Sequence, residues 1–155
     1  MCVVMSSGNH DAVGTGHKPH RIHLRGPWFV ARCDAGGQPV GEPQRLRHPD
    51  EWAAFAGADA GCVQLQRTFH APSNLDETEV LCVMLTGVFG RGEVGLNGVV
   101  LGQFADDQTA CEFPVPLPLP FSNSLTIHIS YTAATADHPD VGVHGVVVLE
   151  IRANR

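Results

Sequence analysis

Short segments in which apolar and polar residues alternate dominate the chain. In segment 63–70 (VQLQRTFH), the apolar residues Val63, Leu65 and Phe69 alternate with polar residues. Segment 124–131 repeats the pattern, with Leu, Ile and Ile on one side and Thr, His and Ser on the other. Because side chains of a β-strand point alternately to opposite faces, both segments are predicted to be strands with one buried face. Segment 80–88 (VLCVMLTGV) is almost wholly apolar, which predicts a central strand buried on both faces.

Turn residues separate these segments. Asn97-Gly98 lies between two apolar runs and predicts a hairpin with a type I′ turn, which needs positive φ at both central positions. Gly26-Pro27 interrupts the alternating run 21–32, and Gly36-Gly37 predicts another hairpin. Segment 142–151 (GVHGVVVLEI) predicts a closing strand. No internal repeat of fixed period is present in the sequence.

One short helix is predicted near the middle of the chain. Asp50 is a suitable N-cap, and Trp52, Phe55 and Ala56 share one face at helical spacing. The pattern favours a helix that plugs one end of the core over one that offers its aromatic residues to a ligand.

We therefore expect an all-β protein: an antiparallel β-sandwich of seven or eight strands with one short helix. Residues 1–19, rich in Gly, His, Ser and Asn, are predicted to be a flexible tail before a sandwich domain over 20–155. Proline occupies every second position of segment 113–121. Because proline cannot donate to a ladder, this segment is expected to be a sheet edge or a polyproline-like crossover, in preference to an SH3-type ligand.

Composition narrows the class of protein. The chain has 155 residues, the size of one domain, and a net charge of −6. Residues 51–155 hold four basic and twelve acidic residues, which argues against a nucleic-acid surface. No apolar run approaches a membrane span, and the start of the sequence does not resemble a secretory signal. Five cysteines without a C-x-x-C pair indicate buried thiols, so a cytoplasmic location is expected.

Candidate chemistry is sparse. Gly8-Asn9-His10-Asp11 copies a metallophosphoesterase signature, but that chemistry needs further Asp and His ligands on upstream strands, and only seven residues precede the motif here. His17, His20 and His23 could bind a transition metal adventitiously. Asp106-Asp107 could bind Ca²⁺, although a solvated loop explains the pair better. No catalytic constellation emerges, so we expect no cofactor and no enzymatic activity, and whether a metal binds stays open.

Four segments resemble the sugar-binding N-terminal domain of family 2 glycoside hydrolases. VQLQRTFHAP at 63–72 is similar to that domain's strand of tyrosine, two arginines, threonine and phenylalanine followed by proline. LTGVFGRGEVGLNGVVLG at 85–102 is similar to its central hairpin, and SNSLTIHIS at 122–130 to the strand after it. Segment 142–151 is similar to the last strand. The resemblance spans about residues 20–152 and implies a galactose-binding-like jelly roll.

The departures from the family pattern bear on function. The hydrolases usually carry an aromatic residue, an arginine and an aspartate where this chain has His144, Gly145 and Val146. The polar contacts that this turn makes toward the catalytic barrel are therefore expected to be missing, and no catalytic barrel is expected to accompany the domain. The resemblance implies a non-catalytic sandwich and carries no glycosidase activity across.

Two functions follow from these observations. The first is a scaffold or interaction domain with a protein partner, favoured by the acidic composition, the proline-rich segment and the altered turn. The alternative is a carbohydrate-binding module that recognises a sugar through loops at one end of the sandwich. Its candidate ligand-binding residues, each in or beside a turn, are Trp28, Arg91, Asp106 and His144. Trp28 also has a good core interpretation, and nine histidines keep a scattered enzyme site open as a third, weaker option.

Overall fold

A computed structural model describes residues 3–4, 19–47, 61–73, 75–86, 88–89, 91–105, 110–131, 142–143 and 147–153. Within these ranges there are thirteen β-strands and no helix. The strands are β1 Val3–Val4, β2 His20–His23, β3 Trp28–Cys33, β4 Pro39–Leu46, β5 Gly61–His70, β6 Glu79–Thr86, β7 Val88–Phe89, β8 Arg91–Leu96, β9 Val99–Phe104, β10 Ala110–Val115, β11 Ser122–Tyr131, β12 Gly142–Val143 and β13 Val147–Ala153.

The larger sheet has six strands in the order β4-β3-β5-β11-β8-β9, with every neighbouring pair antiparallel. Two ten-residue strands, β5 and β11, lie side by side at its centre, with Leu65 opposite Ile127 and Val63 opposite Ile129. All four of these side chains are buried. The strands predicted over 63–70 and 124–131 are confirmed, because their alternation places the apolar residues on the inner face.

The second sheet has five strands in the order β1-β10-β6-β13-β2, again antiparallel throughout. Strand β6 is central: Leu81, Val83 and Leu85 pack into the main core, while Cys82 and Met84 join Val148 in a separate cluster. The prediction of a central strand buried on both faces is confirmed, but its predicted end at 88 is wrong, because β6 ends at Thr86 and Val88 belongs to β7. β7 and β12 form a two-stranded sheet of their own.

The core fills the space between the two sheets, so the molecule is an antiparallel two-sheet β-sandwich. Its largest fully buried side chain is Trp28, at the start of β3. The Trp28 indole N–H donates to the Leu24 carbonyl oxygen over 2.9 Å. Because β2 belongs to one sheet and β3 to the other, this bond fastens the crossover between the sheets at the Gly26-Pro27 break.

The predicted Asn97-Gly98 hairpin is confirmed between β8 and β9. Asn97 has φ 52° and Gly98 φ 83°, the left-handed values that a type I′ turn requires. The Asn97 side-chain amide donates to Asn123 Oδ1, and its own oxygen accepts from the Ser124 backbone N–H, each over 2.9 Å. Asn123 is buried and donates to the Pro120 carbonyl oxygen. Two motif residues of the family resemblance therefore bind each other and fix the start of β11.

Other predictions need correction or lie elsewhere. The closing strand predicted over 142–151 is wrong as one element, because 142–143 pairs with β7 and β13 runs from Val147 to Ala153. The helix predicted over 50–56 falls outside the described residues. Of the predicted proline-rich segment, 113–115 belongs to β10, and the described residues after it form no strand until β11 begins at Ser122.

The tail predicted over 1–19 stays a prediction. Within it, Val3 and Val4 pair with Glu112 and Cys111 of β10. A chain segment therefore covers that end of β10, which the sequence pattern did not indicate.

In the ranges listed above, no helix is long and apolar enough to cross a membrane.

Candidate functional site

An open cavity of about 690 Å³ lies at one end of the six-stranded sheet, opposite the Asn97-Gly98 turn. It is lined by the turn 36–38, by the beginnings of β5 and β8, and by the ends of β9 and β11. We call it the basin. Its polar and thiol side chains are those of Gln38, Cys62, Arg91, Glu93, Gln103, His128 and Ser130.

Strand register brings these side chains together. His128 of β11 lies opposite Glu93 of β8, and Glu93 lies opposite Gln103 of β9, which makes one row across three strands. In the next row, Ser130 lies opposite Arg91 on one side and Cys62 on the other. The positions on β11 alternate with the buried Ile127 and Ile129, so the rows face away from the core.

His128 has hydrogen-bonding capacity that the described residues leave unused. Its Nδ1 lies 3.9 Å from Glu93 Oε1, within ion-pair distance when the imidazole is protonated. Its Nε2 is buried and has no hydrogen-bond partner, the only side-chain nitrogen or oxygen of that kind among the described residues. Buried polar atoms in native proteins nearly always find a partner, so this nitrogen is an exception among the described residues.

Gly92 allows the sheet to close beneath the basin. A Cβ atom at this position would lie 1.7 Å from the His128 carbonyl oxygen and 2.9 Å from the Phe104 ring. No side chain other than hydrogen fits that approach, so the position of β8 against β11 depends on this glycine.

Two cysteines meet at the wall of the basin. Cys62 lines it, and Cys33, at the end of β3, lies close enough for the two thiols to affect each other. Burial, reinforced by the neighbouring Cys62, raises the pKa of the Cys33 thiol to about 12. Both side chains are half-buried, whereas Cys82 and Cys111 are buried, and none of these four described cysteines is in a disulfide.

A second cavity, of about 620 Å³, lies where β4 ends and the chain enters β3. Arg25, Arg45 and Arg47 line it, together with Gly26, Pro27 and Leu46. Arg67 adjoins it, because its guanidinium donates to the Arg25 carbonyl oxygen. Burial lowers the pKa of Arg67. The cavity is distinct from the basin, with which it shares no lining residue.

A network of ion pairs occupies the outer face of the five-stranded sheet. The buried Glu150 carboxylate accepts from Arg21 Nε over 2.8 Å and lies 3.4 Å from Arg152 Nη1. Arg152 also pairs with Glu112 and donates to Cys82 Sγ over 3.2 Å. The bond to Glu112 raises the pKa of Arg152, while burial raises that of Cys82. Because each charge in this network has a partner of opposite sign, the network is structural.

Of the four residues predicted to bind a ligand, the structure places one in the basin and one in the core, and two lie outside the described residues. Arg91 lines the basin. Trp28 has no solvent-exposed surface, so its ring offers no face on which a sugar could stack. Asp106 and His144 lie outside the described residues. The described part of the chain has no group of three or more His, Cys, Asp or Glu side chains placed to hold a metal ion.

Sequence reasoning missed the basin residues Glu93, Gln103, His128 and Ser130. The alternation along β11 showed that His128 and Ser130 face outward, but it gave no sign of which residues lie opposite them. That information depends on strand register, to which the sequence gives no direct signal.

Comparisons with known proteins place the fold among glycosidases. No family model and no curated protein matches the chain. A β-glucuronidase from an uncultured Clostridium sp. matches over 100% of this chain and 31% of its own, with a TM-score of 0.71 and 15% identity. The Bifidobacterium dentium β-glucuronidase complexed with coumarin-3-O-glucuronide gives a TM-score of 0.68 at 16% identity, over 87% of this chain and 30% of its own. A β-glycosidase from Bacteroides vulgatus gives 0.66 at 17% identity, over 86% and 20% respectively.

These structural neighbours are family 2 glycoside hydrolases, and this chain is a small all-β sandwich consistent with their sugar-binding N-terminal domain. The chain spans less than a third of the length of each of the three enzymes just named. At such low identities the likeness defines the fold, and it leaves the function to be argued from the site.

Proposed function

We propose that this chain is a non-catalytic carbohydrate-binding domain, of the galactose-binding-like jelly-roll type, that holds a saccharide in the basin. The observation that carries the proposal is the row of His128, Glu93 and Gln103 across three strands, which lines one cavity together with Arg91. Saccharide hydroxyl groups both donate and accept hydrogen bonds. Guanidinium, carboxylate, amide and imidazole groups together match that chemistry.

The size and position of the basin support the same function. Its volume of about 690 Å³ falls within the range of roughly 300–1,000 Å³ that small-molecule sites occupy. It lies at one end of the six-stranded sheet, where strand ends and a turn supply polar groups from several strands at once. The three neighbours described above are enzymes of sugars, which supports a saccharide as the class of ligand for this fold.

The described lining of the basin supports binding without hydrolysis. Glycosidases commonly use a pair of carboxyl groups on either side of the scissile bond, about 5–9.5 Å apart. Among the described lining residues, Glu93 supplies one carboxylate. The remaining polar groups there suit the orientation of a sugar rather than proton transfer combined with nucleophilic attack.

Titration followed by NMR tests the proposal. ¹⁵N-labelled protein is titrated with galactose, glucose, mannose and glucuronate, and backbone shifts are followed. We expect one sugar to give saturable shifts at Glu93, Gln103 and His128. Truncation of a hydrogen-bonded charged group costs about 1.5–3 kcal/mol, so Arg91→Ala should weaken binding at least about tenfold.

Arg45→Ala is the matched control, because Arg45 is an exposed arginine that lines the second cavity instead of the basin. It should leave the affinity unchanged. An absence of saturable shifts from a folded protein, or an equal loss of affinity in the Arg45 and Arg91 variants, contradicts saccharide binding in the basin.

A scaffold or interaction domain is the second candidate function. Three exposed apolar side chains, Phe121, Val99 and Val100, are 73%, 61% and 54% exposed. The Phe121 ring stacks on that of His70, with ring centroids 4.3 Å apart. Exposed apolar patches often mark protein contacts. Phe121→Ser should then abolish any concentration-dependent association seen by sedimentation velocity, and a monomer at all concentrations contradicts self-association.

A further inference from the structure

We propose that Cys33 and Cys62 form a reversible thiol-oxidation site, at which a low-molecular-weight disulfide such as oxidised glutathione joins them in a cross-strand disulfide at the wall of the basin. This inference is independent of saccharide binding. It rests on the strand register and on the access of Cys62 to the basin.

Register places the two cysteines directly opposite each other. β3 pairs antiparallel with β5, and the last register pair is Arg32 with Val63. Extending the ladder by one residue sets Cys33 against Cys62, both within their strands. Their neighbours Arg32 and Val63 form the preceding pair, so both cysteines lie on the opposite face of the sheet from the buried Val63.

The backbone geometry of such a pair suits a disulfide. Directly opposed residues of antiparallel strands have Cα atoms about 4.5 or 5.5 Å apart. Disulfides span Cα separations of about 4.4–6.8 Å, so the bond needs little backbone movement. The influence of Cys62 on the pKa of Cys33 agrees with this closeness of the two thiols.

The two thiols have unequal roles in the exchange. Cys62 lines the open basin, where a small disulfide can reach it. Burial raises the pKa of Cys33, so this thiol stays protonated while Cys62 reacts first. Cys33 then acts as the resolving thiol, because the register sets it opposite Cys62 on the neighbouring strand.

The exchange balances in two steps. The Cys62 thiolate attacks one sulfur of the reagent; the reagent S–S bond breaks, and one small thiolate leaves and takes up a proton. Cys33 loses its proton to solvent and attacks the Cys62 sulfur, which forms the protein disulfide and releases the second small thiolate. Two protein thiols are oxidised by two electrons, and one reagent disulfide is reduced to two thiols.

The consequence for the basin is local. The turn that follows Cys33 supplies Gly36, Gly37 and Gln38 to the lining, and Asp34 Oδ1 accepts from the backbone N–H groups of Gly36 and Gln38. A bond from Cys33 to Cys62 therefore fastens that wall of the basin to the centre of the sheet.

Peptide mass mapping of the full chain tests the proposal. The chain is first equilibrated with graded ratios of oxidised to reduced glutathione and is then alkylated. We expect Cys33 and Cys62 to lose alkylation together, with a mass loss of two hydrogen atoms. This oxidation should occur at a glutathione ratio at least tenfold more reducing than the ratio that oxidises Cys82 and Cys111. Those two are matched controls, because they lie on strands and are buried. Cys33→Ser should trap glutathione on Cys62.

Three results overturn the proposal. The first is oxidation of all four cysteines over the same range of ratios. The second is a map that joins Cys2 to either residue. The third is retention of both thiols in the folded chain at ratios that oxidise the urea-unfolded chain. The wild-type chain alone decides among these, so the test stands even if a variant fails to fold.

Discussion

Replacement of Trp28 by alanine tests the position of this residue in the core. A tryptophan side chain buries about 150–250 Å², which at about 25 cal/mol per Å² corresponds to about 4–6 kcal/mol of transfer free energy. Residual burial in the unfolded chain lowers this by roughly 10–40%. We therefore expect Trp28→Ala to reduce the free energy of unfolding by about 3–5 kcal/mol, in line with other aromatic truncations. The loss includes the indole hydrogen bond to the Leu24 carbonyl oxygen.

Urea unfolding measured by circular dichroism gives this loss directly. With a slope near 2 kcal/mol per M, the midpoint should fall by about 1.5–2.5 M. Phe29→Ala is the matched control: Phe29 is the next residue of β3 and is 41% exposed, so its truncation should cost less than about 1 kcal/mol. If Trp28→Ala is too unstable to study, Trp28→Phe should give a smaller fall in the same direction. Equal midpoints for the two alanine variants, or saccharide affinity lost in Trp28→Phe with stability kept, would refute the core assignment.

Three further results are expected. Gly92→Ala should destabilise the chain by about 1–3 kcal/mol in urea unfolding, because the new Cβ would collide with the His128 carbonyl group. Gly36→Ala is the control, since its Cβ would meet only the Asp34 carboxylate, at 3.3 Å. Equal losses of stability in the two variants contradict the close approach at Gly92. Asn123→Ala should cost about 1–3 kcal/mol in thermal or urea unfolding, since it leaves buried polar groups without partners; an unchanged midpoint argues against that network. Because burial and Cys62 raise the pKa of Cys33 from 9.0 to about 12, the folded chain keeps a proton that the unfolded chain loses, so stability should fall as the pH rises from 9.0 to about 12. Cys33→Ala should flatten that fall, and an unaltered slope rules the group out as its source.

Local patterning was enough to predict most of the strands. The alternation around Leu125, Ile127 and Ile129, and the apolar run of β6, report burial directly, because strand side chains alternate strictly between faces. The Asn97-Gly98 hairpin was equally predictable, since few residues tolerate its backbone angles. These features depend on neighbours in sequence.

The candidate site depends on residues that are neighbours in space, and the sequence pattern predicted fewer of these. Arg91 was selected because it lies beside a turn, and it does line the basin. His128, Glu93 and Gln103 come from three strands, and only the register of β11, β8 and β9 sets them in one row. The sequence pattern likewise does not show that Cys33 lies opposite Cys62, because that depends on the register of β3 against β5. Trp28 had two interpretations because it lies both beside the Gly26-Pro27 break and within a predicted strand, and the structure shows that it is buried.

The strand order of the five-stranded sheet determines when this protein can fold during synthesis. β6 pairs with β13 along one side, and β2 pairs with β13 as well, so β13 joins strands that lie far apart in the sequence. Until the ribosome has released residues 147–153, one side of the apolar β6 stays open and β2 has no place in the sheet. An unpaired apolar strand is a template for pairing with other chains, so nascent copies are most prone to aggregate in this interval.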